Sequence, residues 1–370
     1  MAADIKSLAI YLGGLALTML FCAIYSRVKL KSRAANIIWI ILICLPLSII
    51  AGLRDGVGTD YPNYVRIFNE VRPLSFIQCI THPYIDRGFA VLIRTLWLFS
   101  GDVKFIFFVM TFATLFIAFK TVSKYKDEMS LVMFSLFYYL IIYHNSLNYL
   151  RQCLAVSLVI WGLDLMLRKK YVKGLIVCIA TMMIHSTAII GVVFLIALVV
   201  MTSKQEKKKL DDGVVSGLRL TYYALVFASI LLIPIALRLI VKIPFFSSYA
   251  KYVLTTVNLG IGRIVYFVIL FVPLVLMWNS FRSNERLYSL FHIAMLYLPV
   301  SFAGYYFNWA SRMNLYTSAL FAILVPMVLR REKCKFTAFV FGTWYILFFA
   351  FLFVLDILIH NQGETFPYMI

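Results

Sequence analysis

Charged side chains are scarce: Asp, Glu, Lys and Arg make up 14% of the 370 residues, and only 16 of those side chains are acidic. A soluble domain carries about 25% charged and 45–50% apolar residues, whereas this chain is 63% apolar with a mean hydropathy of +0.90. That shortage excludes a soluble enzyme and a disordered chain. The six cysteines, Cys22, Cys44, Cys79, Cys153, Cys178 and Cys334, show no Cys-x-x-Cys spacing, which excludes a disulfide framework and a zinc site. There is no Gly-x-x-x-x-Gly-Lys loop, so ATP-driven transport by this chain alone is not expected. There is no Asp-x-Asp pair, His-Glu-x-x-His or Gly-x-Ser-x-Gly elbow either, and so no expected metal, cofactor or hydrolase nucleophile. No inverted repeat of the transporter kind is visible. What is present is a membrane protein's composition. The net charge of +19 belongs to its loops, not to a nucleic-acid surface.

Apolar runs lie at about 5–26, 36–52, 103–121, 130–143, 149–167, 172–201, 218–242, 263–280, 288–304, 313–329 and 336–359. A hydrocarbon core of about 30 Å needs about 20 helical residues. The first run lacks a small-residue cleavage site before its basic flank, so a retained span is expected. Basic clusters separate the runs: Arg27 to Arg33, Lys120 to Lys126, Arg168 to Lys173, Lys204 to Lys209 with Arg219, Arg282 with Arg286, and Arg330 to Lys335. Short Lys/Arg-rich loops stay cytoplasmic. All six share one side only if 172–201 crosses twice or enters and returns. At about 45 Å as one helix, that run is long enough to fold back, and the break is expected near His185. The fold expected is therefore an all-α, polytopic transmembrane bundle. It has about 12 segments, one pair of them either re-entrant or fully crossing, in a single integral-membrane domain over 1–370 with both termini external.

The two sides use different cations. The cytoplasmic clusters hold 14 Lys and 8 Arg, while the other positions hold 4 Lys and 9 Arg. Lysine suffices as a topology charge, whereas arginine grips phosphate or carboxylate in two places. Snorkelling at the interface is the plainer cause. On the functional reading, the external face is built for an anion.

One loop is long. Residues 53–102 hold five Arg, four Asp and one Glu, and so long a loop is usually functional. Asp60 precedes an expected helix from about Tyr61 to Val71, where it could cap the N-terminus or act chemically. The stretch from Asp86 to Phe99 reads as an interfacial amphipathic helix on the outer leaflet. Further on, offsets of four and three place His144, Asn148 and Arg151 on one helical stripe, with Asn145 and Gln152 beside it. An ionisable residue at that depth is a functional candidate, although an interhelical hydrogen-bond cluster would look the same and His144 and Asn145 could be plain outer-loop residues. His185 sits at the expected break, either bonded to backbone or chemically active. Arg312 with Asn308 and Asn314 begins another external helix beside Tyr305, Tyr306 and Trp309. Lys242, Lys251 and Arg263 surround a second basic external loop, Phe245 to Gly262.

At these residues the chain resembles the EpsG family, a branch of the Wzy-type polysaccharide polymerases. Three blocks carry the resemblance: Arg54-Asp55-…-Gly58-Thr59-Asp60-Tyr61-…-Tyr64 with Phe68 and then Asp86-Arg87-Gly88-Phe89; Leu150-Arg151-Gln152-Cys153-Leu154-Ala155; and Ala180 to His185-Ser186. Pro367-Tyr368 is similar as well. Arg87 stands where the family more often has proline. The resemblance implies a metal-independent, multi-spanning glycosyltransferase of the bacterial inner membrane, similar to the GT-C class and to O-antigen ligase. It implies a growing glycan taken from undecaprenyl pyrophosphate and joined to a new lipid-linked repeat on the external leaflet, with membrane lipids, a chain-length regulator and a flippase as companions.

Such a reaction needs cations at the departing pyrophosphate and a proton acceptor for the attacking hydroxyl. Arg151 and Arg312 are the first expected phosphate ligands, then Arg54 and Arg263, with Gln152, Asn148 and Tyr64 beside them. Asp60 is the leading base and His185 and Asp86 are rivals, His185 being equally suited to hold phosphate. Two other functions would also need hydrated arginines: a flippase or exporter of lipid-linked oligosaccharide, and a membrane O-acyltransferase that decorates the glycan.

Overall fold

The computed structural model describes residues 2–29, 32–202, 212–240, 242 and 261–369. Among them the chain is helical and no strand occurs. Its helices are α1 (Ala2–Arg27), α2 (Arg33–Leu53), α3 (Tyr61–Val71), α4 (Phe76–Thr81), α5 (Arg87–Leu96), α6 (Val103–Val122), α7 (Leu131–Tyr138), α8 (His144–Asn148), α9 (Leu150–Leu167), α10 (Tyr171–Thr181), α11 (Ile190–Thr202), α12 (Asp212–Ile240) and α13 (Ile261–Leu276). They continue with α14 (Trp278–Phe281), α15 (Glu285–Ala294), α16 (Tyr297–Tyr306), α17 (Asn308–Ser311), α18 (Asn314–Arg331) and α19 (Lys335–Phe353). Two π-helical turns interrupt the series, Tyr139–Tyr143 and Val354–Ile359.

Each expected membrane segment corresponds to a helix or a helix pair. Six helical stretches among the described residues are long and apolar enough to cross a membrane: Ile5–Arg27, Arg33–Leu53, Val103–Tyr125, Leu150–Leu167, Glu285–Tyr306 and Lys335–Ile359. The others are shorter. The 172–201 run is broken at the expected place, α10 ending before a turn and a 3-10 segment, Ser186–Ile189, leading into α11. α9 and α10 approach closely because glycines face each other: a Cβ on Gly174 would stand 2.5 Å from the Gly162 carbonyl oxygen. Small residues at a crossing let helix backbones meet and gain packing where water gives no drive.

The bundle has two unlike ends. At one, the basic clusters are tied together by carboxylates. Buried Asp164 accepts from Lys124, Tyr125 and Arg168, and Glu128 takes Arg286 and Arg331 at 3.3 and 3.4 Å. At the other end, the 53–102 loop meets the C-terminal segment. Asp55, Gly58 and Thr59 donate their backbone N–H groups to the carbonyls of Met369, Glu364 and Gly363 at 3.0, 2.9 and 2.8 Å. Tyr368 reaches the Ile50 carbonyl through its hydroxyl and the Ser7 hydroxyl through its backbone N–H. Ser7 near the N-terminus, the C-terminal segment and the long loop therefore share one end.

The long loop is folded. Tyr64, Phe68, Phe89, Ile93, Phe107 and Leu150 form its own apolar core. This corrects the expected interfacial helix: α5 turns Phe89, Ala90, Ile93 and Leu96 into that core, because α3 and α6 offer them apolar partners. The exposed large apolar side chains of the loop are instead Phe76, Ile77 and Ile80 on α4, with Tyr84, Leu98 and Phe99.

Candidate active site

The α7–α9 region shapes the site. The π-helical turn Tyr139–Tyr143 widens the backbone, and Tyr149 (φ −100°, ψ 55°) breaks the helix before α9 begins at Leu150. The stripe of His144, Asn148 and Arg151 expected from continuous helical spacing is therefore corrected: the break turns Arg151 away. His144 and Asn148 are buried. They line a cleft of about 980 Å³ together with Asn145, Gln152, Arg263 and Arg312. Ligand clefts run to about 1,000 Å³, so this one lies at the roomy end. Apolar side chains including Leu140, Leu270, Phe321, Phe348 and Leu352 complete it, and both π-helical turns contribute, through Leu140 and Ile141 and through Asp356 and Ile357. Such turns recur at functional sites because they re-aim side chains.

Two arginines stand in the cleft wall. Arg263 from the first turn of α13 lies 6.0 Å from the Tyr305 ring. Arg312, between α17 and α18, is exposed and has its backbone carbonyl held by the Gln152 side-chain amide. Neither forms an ion pair among the described residues.

Asn148 links the cleft to the long loop. Its side-chain oxygen accepts from the Asp60 backbone N–H at 2.8 Å and the Thr59 hydroxyl at 2.9 Å. Gly58 makes this approach possible: its φ is +106° and a Cβ there would stand 3.0 Å from the Leu147 carbonyl oxygen. Asp60 occupies the N-cap position of α3, but its carboxylate makes no capping bond, so the expected side-chain cap is absent. It is half-buried beside the cleft and does not line it.

Arg151 and Asp86 form a second group beyond the α9 backbone. Their ion pair spans 3.0 Å, and the Arg151 guanidinium lies 5.3 Å from the Phe89 ring and 6.0 Å from that of Tyr64. The Arg151 backbone N–H reaches the buried Tyr64 hydroxyl at 3.4 Å. Burial pushes the Asp86 carboxyl above the usual carboxylate range, and the charge of Arg151 opposes that rise. Gly88 then donates its N–H to the Met183 carbonyl at 2.8 Å, pinning the loop to the α10–α11 turn.

His185 sits in that turn and is buried. Its Nδ1 meets the Thr187 hydroxyl at 2.6 Å and lies 3.3 Å from the Thr187 backbone N–H, which holds the ring against the start of the 3-10 segment.

Arg54 stands apart. It is fully buried, stacks 4.6 Å from the Phe107 ring, and donates to the Leu147 carbonyl. Its Nε and Nη2 have no hydrogen-bond partner among the described residues. It anchors the loop to α8 and does not reach the cleft.

The cleft thus gathers Asn148, Gln152, Arg263 and Arg312, with Asp60 at its edge; Arg151, Asp86, Tyr64 and His185 assemble beside it. Residues 243–260, including Lys251, lie outside the described residues, as do the Asn308 and Trp309 side chains. Sequence reasoning passed over Asp356, although one acid inside the apolar run 336–359 is itself a signal. Among the described residues no three His, Cys, Asp or Glu side chains gather as a metal site requires.

No match is found among curated proteins or among solved structures. The family model of the EpsG family matches residues 37–370, which takes in the long loop, every cleft residue and the C-terminal segment, and the chain therefore belongs to the EpsG family of Wzy-like polysaccharide polymerases.

Proposed function

We propose that this membrane polysaccharide polymerase joins oligosaccharide repeats carried on undecaprenyl pyrophosphate, working in the bacterial inner membrane on the external leaflet. The observation that carries the proposal is the pair Arg263 and Arg312: two guanidiniums that form no ion pair among the described residues, in the wall of a large cleft with apolar side chains. A pyrophosphate supplies the absent negative charge, and the apolar wall suits the first isoprene units. Basic clusters at the opposite end favour the cytoplasmic side for that end, which supports external termini and an external long loop in this reading.

In this reading Arg312 and Arg263 stabilise charge as it develops on the leaving phosphate oxygen, without a metal ion. Gln152 fixes the backbone of Arg312, and Asn148 orders the loop edge where Asp60 stands. His185, outside the cleft lining with its Nδ1 against Thr187, steadies the α10–α11 turn. Arg151, Asp86 and Tyr64 position the loop against α9, and the Arg151 charge adds to the positive field of the site. Arg54 serves as an anchor.

The test uses purified protein and the lipid-linked repeat extracted from cells lacking this gene. A ladder of extended glycans supports polymerisation. Altered leaflet accessibility in vesicles without any ladder would replace it with a carrier.

A further inference from the structure

The cleft has a proton acceptor that the long loop does not supply. Asp356 is the single carboxylate among its described lining residues. It lies on the π-helical turn Val354–Ile359 that continues α19, in a run otherwise free of acids. Its Oδ1 accepts from the Gln362 side-chain amide at 3.3 Å, which orients the group without neutralising it. No cation pairs with it among the described residues, unlike Asp86, which Arg151 occupies. Asp60 is held outside the cleft by its backbone bond to Asn148, and Nδ1 of His185 is occupied by Thr187. Tyr266 on α13 and His360 beyond its own turn interact electrostatically with Asp356, and the charged or titratable side chains Arg263, Arg312 and His144 line the same cleft. Tyr266 lies within electrostatic range of both Asp356 and Arg263, so an acid and a cation share one part of the cleft.

We infer that Asp356 is the general base that activates the acceptor sugar hydroxyl, while the pyrophosphate rests on Arg263 and Arg312. The inference rests on the polymerase reading above. In the step, the acceptor oxygen bonds to the donor's anomeric carbon and its proton passes to the Asp356 carboxylate. The bond from that carbon to the phosphate oxygen breaks, and its electron pair leaves with the lipid diphosphate. Gln362 is a positioning residue for the carboxylate.

Two measurements on the purified full chain test this. Extension is followed with lipid-linked repeat extracted from cells lacking the gene, and binding by the thermal shift that undecaprenyl pyrophosphate produces. Asp356→Asn should keep the shift and lose extension by about 100-fold or more, the scale of a missing general base. Asp356→Glu should retain part of the rate and move the acid limb of its pH profile, and Asp356→Ala should regain extension with added formate. If the asparagine variant extends within threefold of wild type, the inference fails while the polymerase reading stands. If that variant does not fold, the glutamate variant decides: an unchanged rate and an unmoved acid limb overturn the inference. If the wild-type chain makes no ladder, the polymerase reading itself fails.

Discussion

The two ends of the bundle treat arginine and lysine in opposite ways. At the basic end, Asp164 holds Lys124 and Arg168, and Glu128 holds Arg286 and Arg331. At the loop end, Arg263 and Arg312 stand in the cleft wall without such partners among the described residues, where Arg151, Arg66 and His82 are the cations that meet a carboxylate. Compensated cations are architecture: they fix helices against one another and leave no charge for a ligand. Uncompensated guanidiniums in a cleft wall keep their charge for a ligand and can grip a phosphate in two places, which suits binding.

Breaking the architecture should give the largest effect. Asp164→Ala removes a buried acid from two cations and a tyrosine hydroxyl, and losing one partner of a buried pair costs about 3–5 kcal/mol. The expected result is a markedly lower melting temperature in detergent, with the extension rate per folded molecule unchanged; a slower rate in the folded fraction would erase the distinction between the ends. Arg312→Ala should do the reverse. It should cut extension by about 100-fold, as loss of one charge-stabilising donor does, with the melting temperature of the ligand-free protein nearly unchanged. Arg312→Lys should fall between, since lysine gives a point charge without the planar fork.

The smallest effect should come from the pair beside the cleft. Arg151→Ala should slow extension by about tenfold, through a loosened loop and a weaker positive field. The sign of the pH response follows from Asp86, whose carboxyl is pushed up by burial. As pH falls through that raised value, the carboxylate is neutralised and the pair with Arg151 is lost. Protease cleavage of the 53–102 loop should therefore accelerate at mildly acid pH in the wild-type chain, and Asp86→Asn should flatten that dependence. Equal cleavage of wild type and variant at every pH would remove the pair from loop positioning.

Part of the cleft's lining was legible in residue types. Arginine gathered where lysine would have sufficed for topology, and Arg263 and Arg312 do share a cleft. Arg54 belonged to the same count yet lies wholly buried under Phe107 and against Leu147, because composition records a guanidinium and not its surroundings. The stripe through Arg151 failed for a different reason. Helical spacing assumes an unbroken 3.6-residue period, and the break at Tyr149 resets the phase between residues 148 and 151.

The amino-acid order by itself determined the helical membrane architecture, the break near His185 and the family, since apolar run length, loop charge and short motifs are local properties. The burial of α5 in the loop's own core and the meeting of Asp356 with Arg263 and Arg312 in one cleft were decided only by tertiary structure. These depend on contacts between segments tens of residues apart. No local pattern encodes how two π-helical turns and a broken helix aim their side chains at the same space.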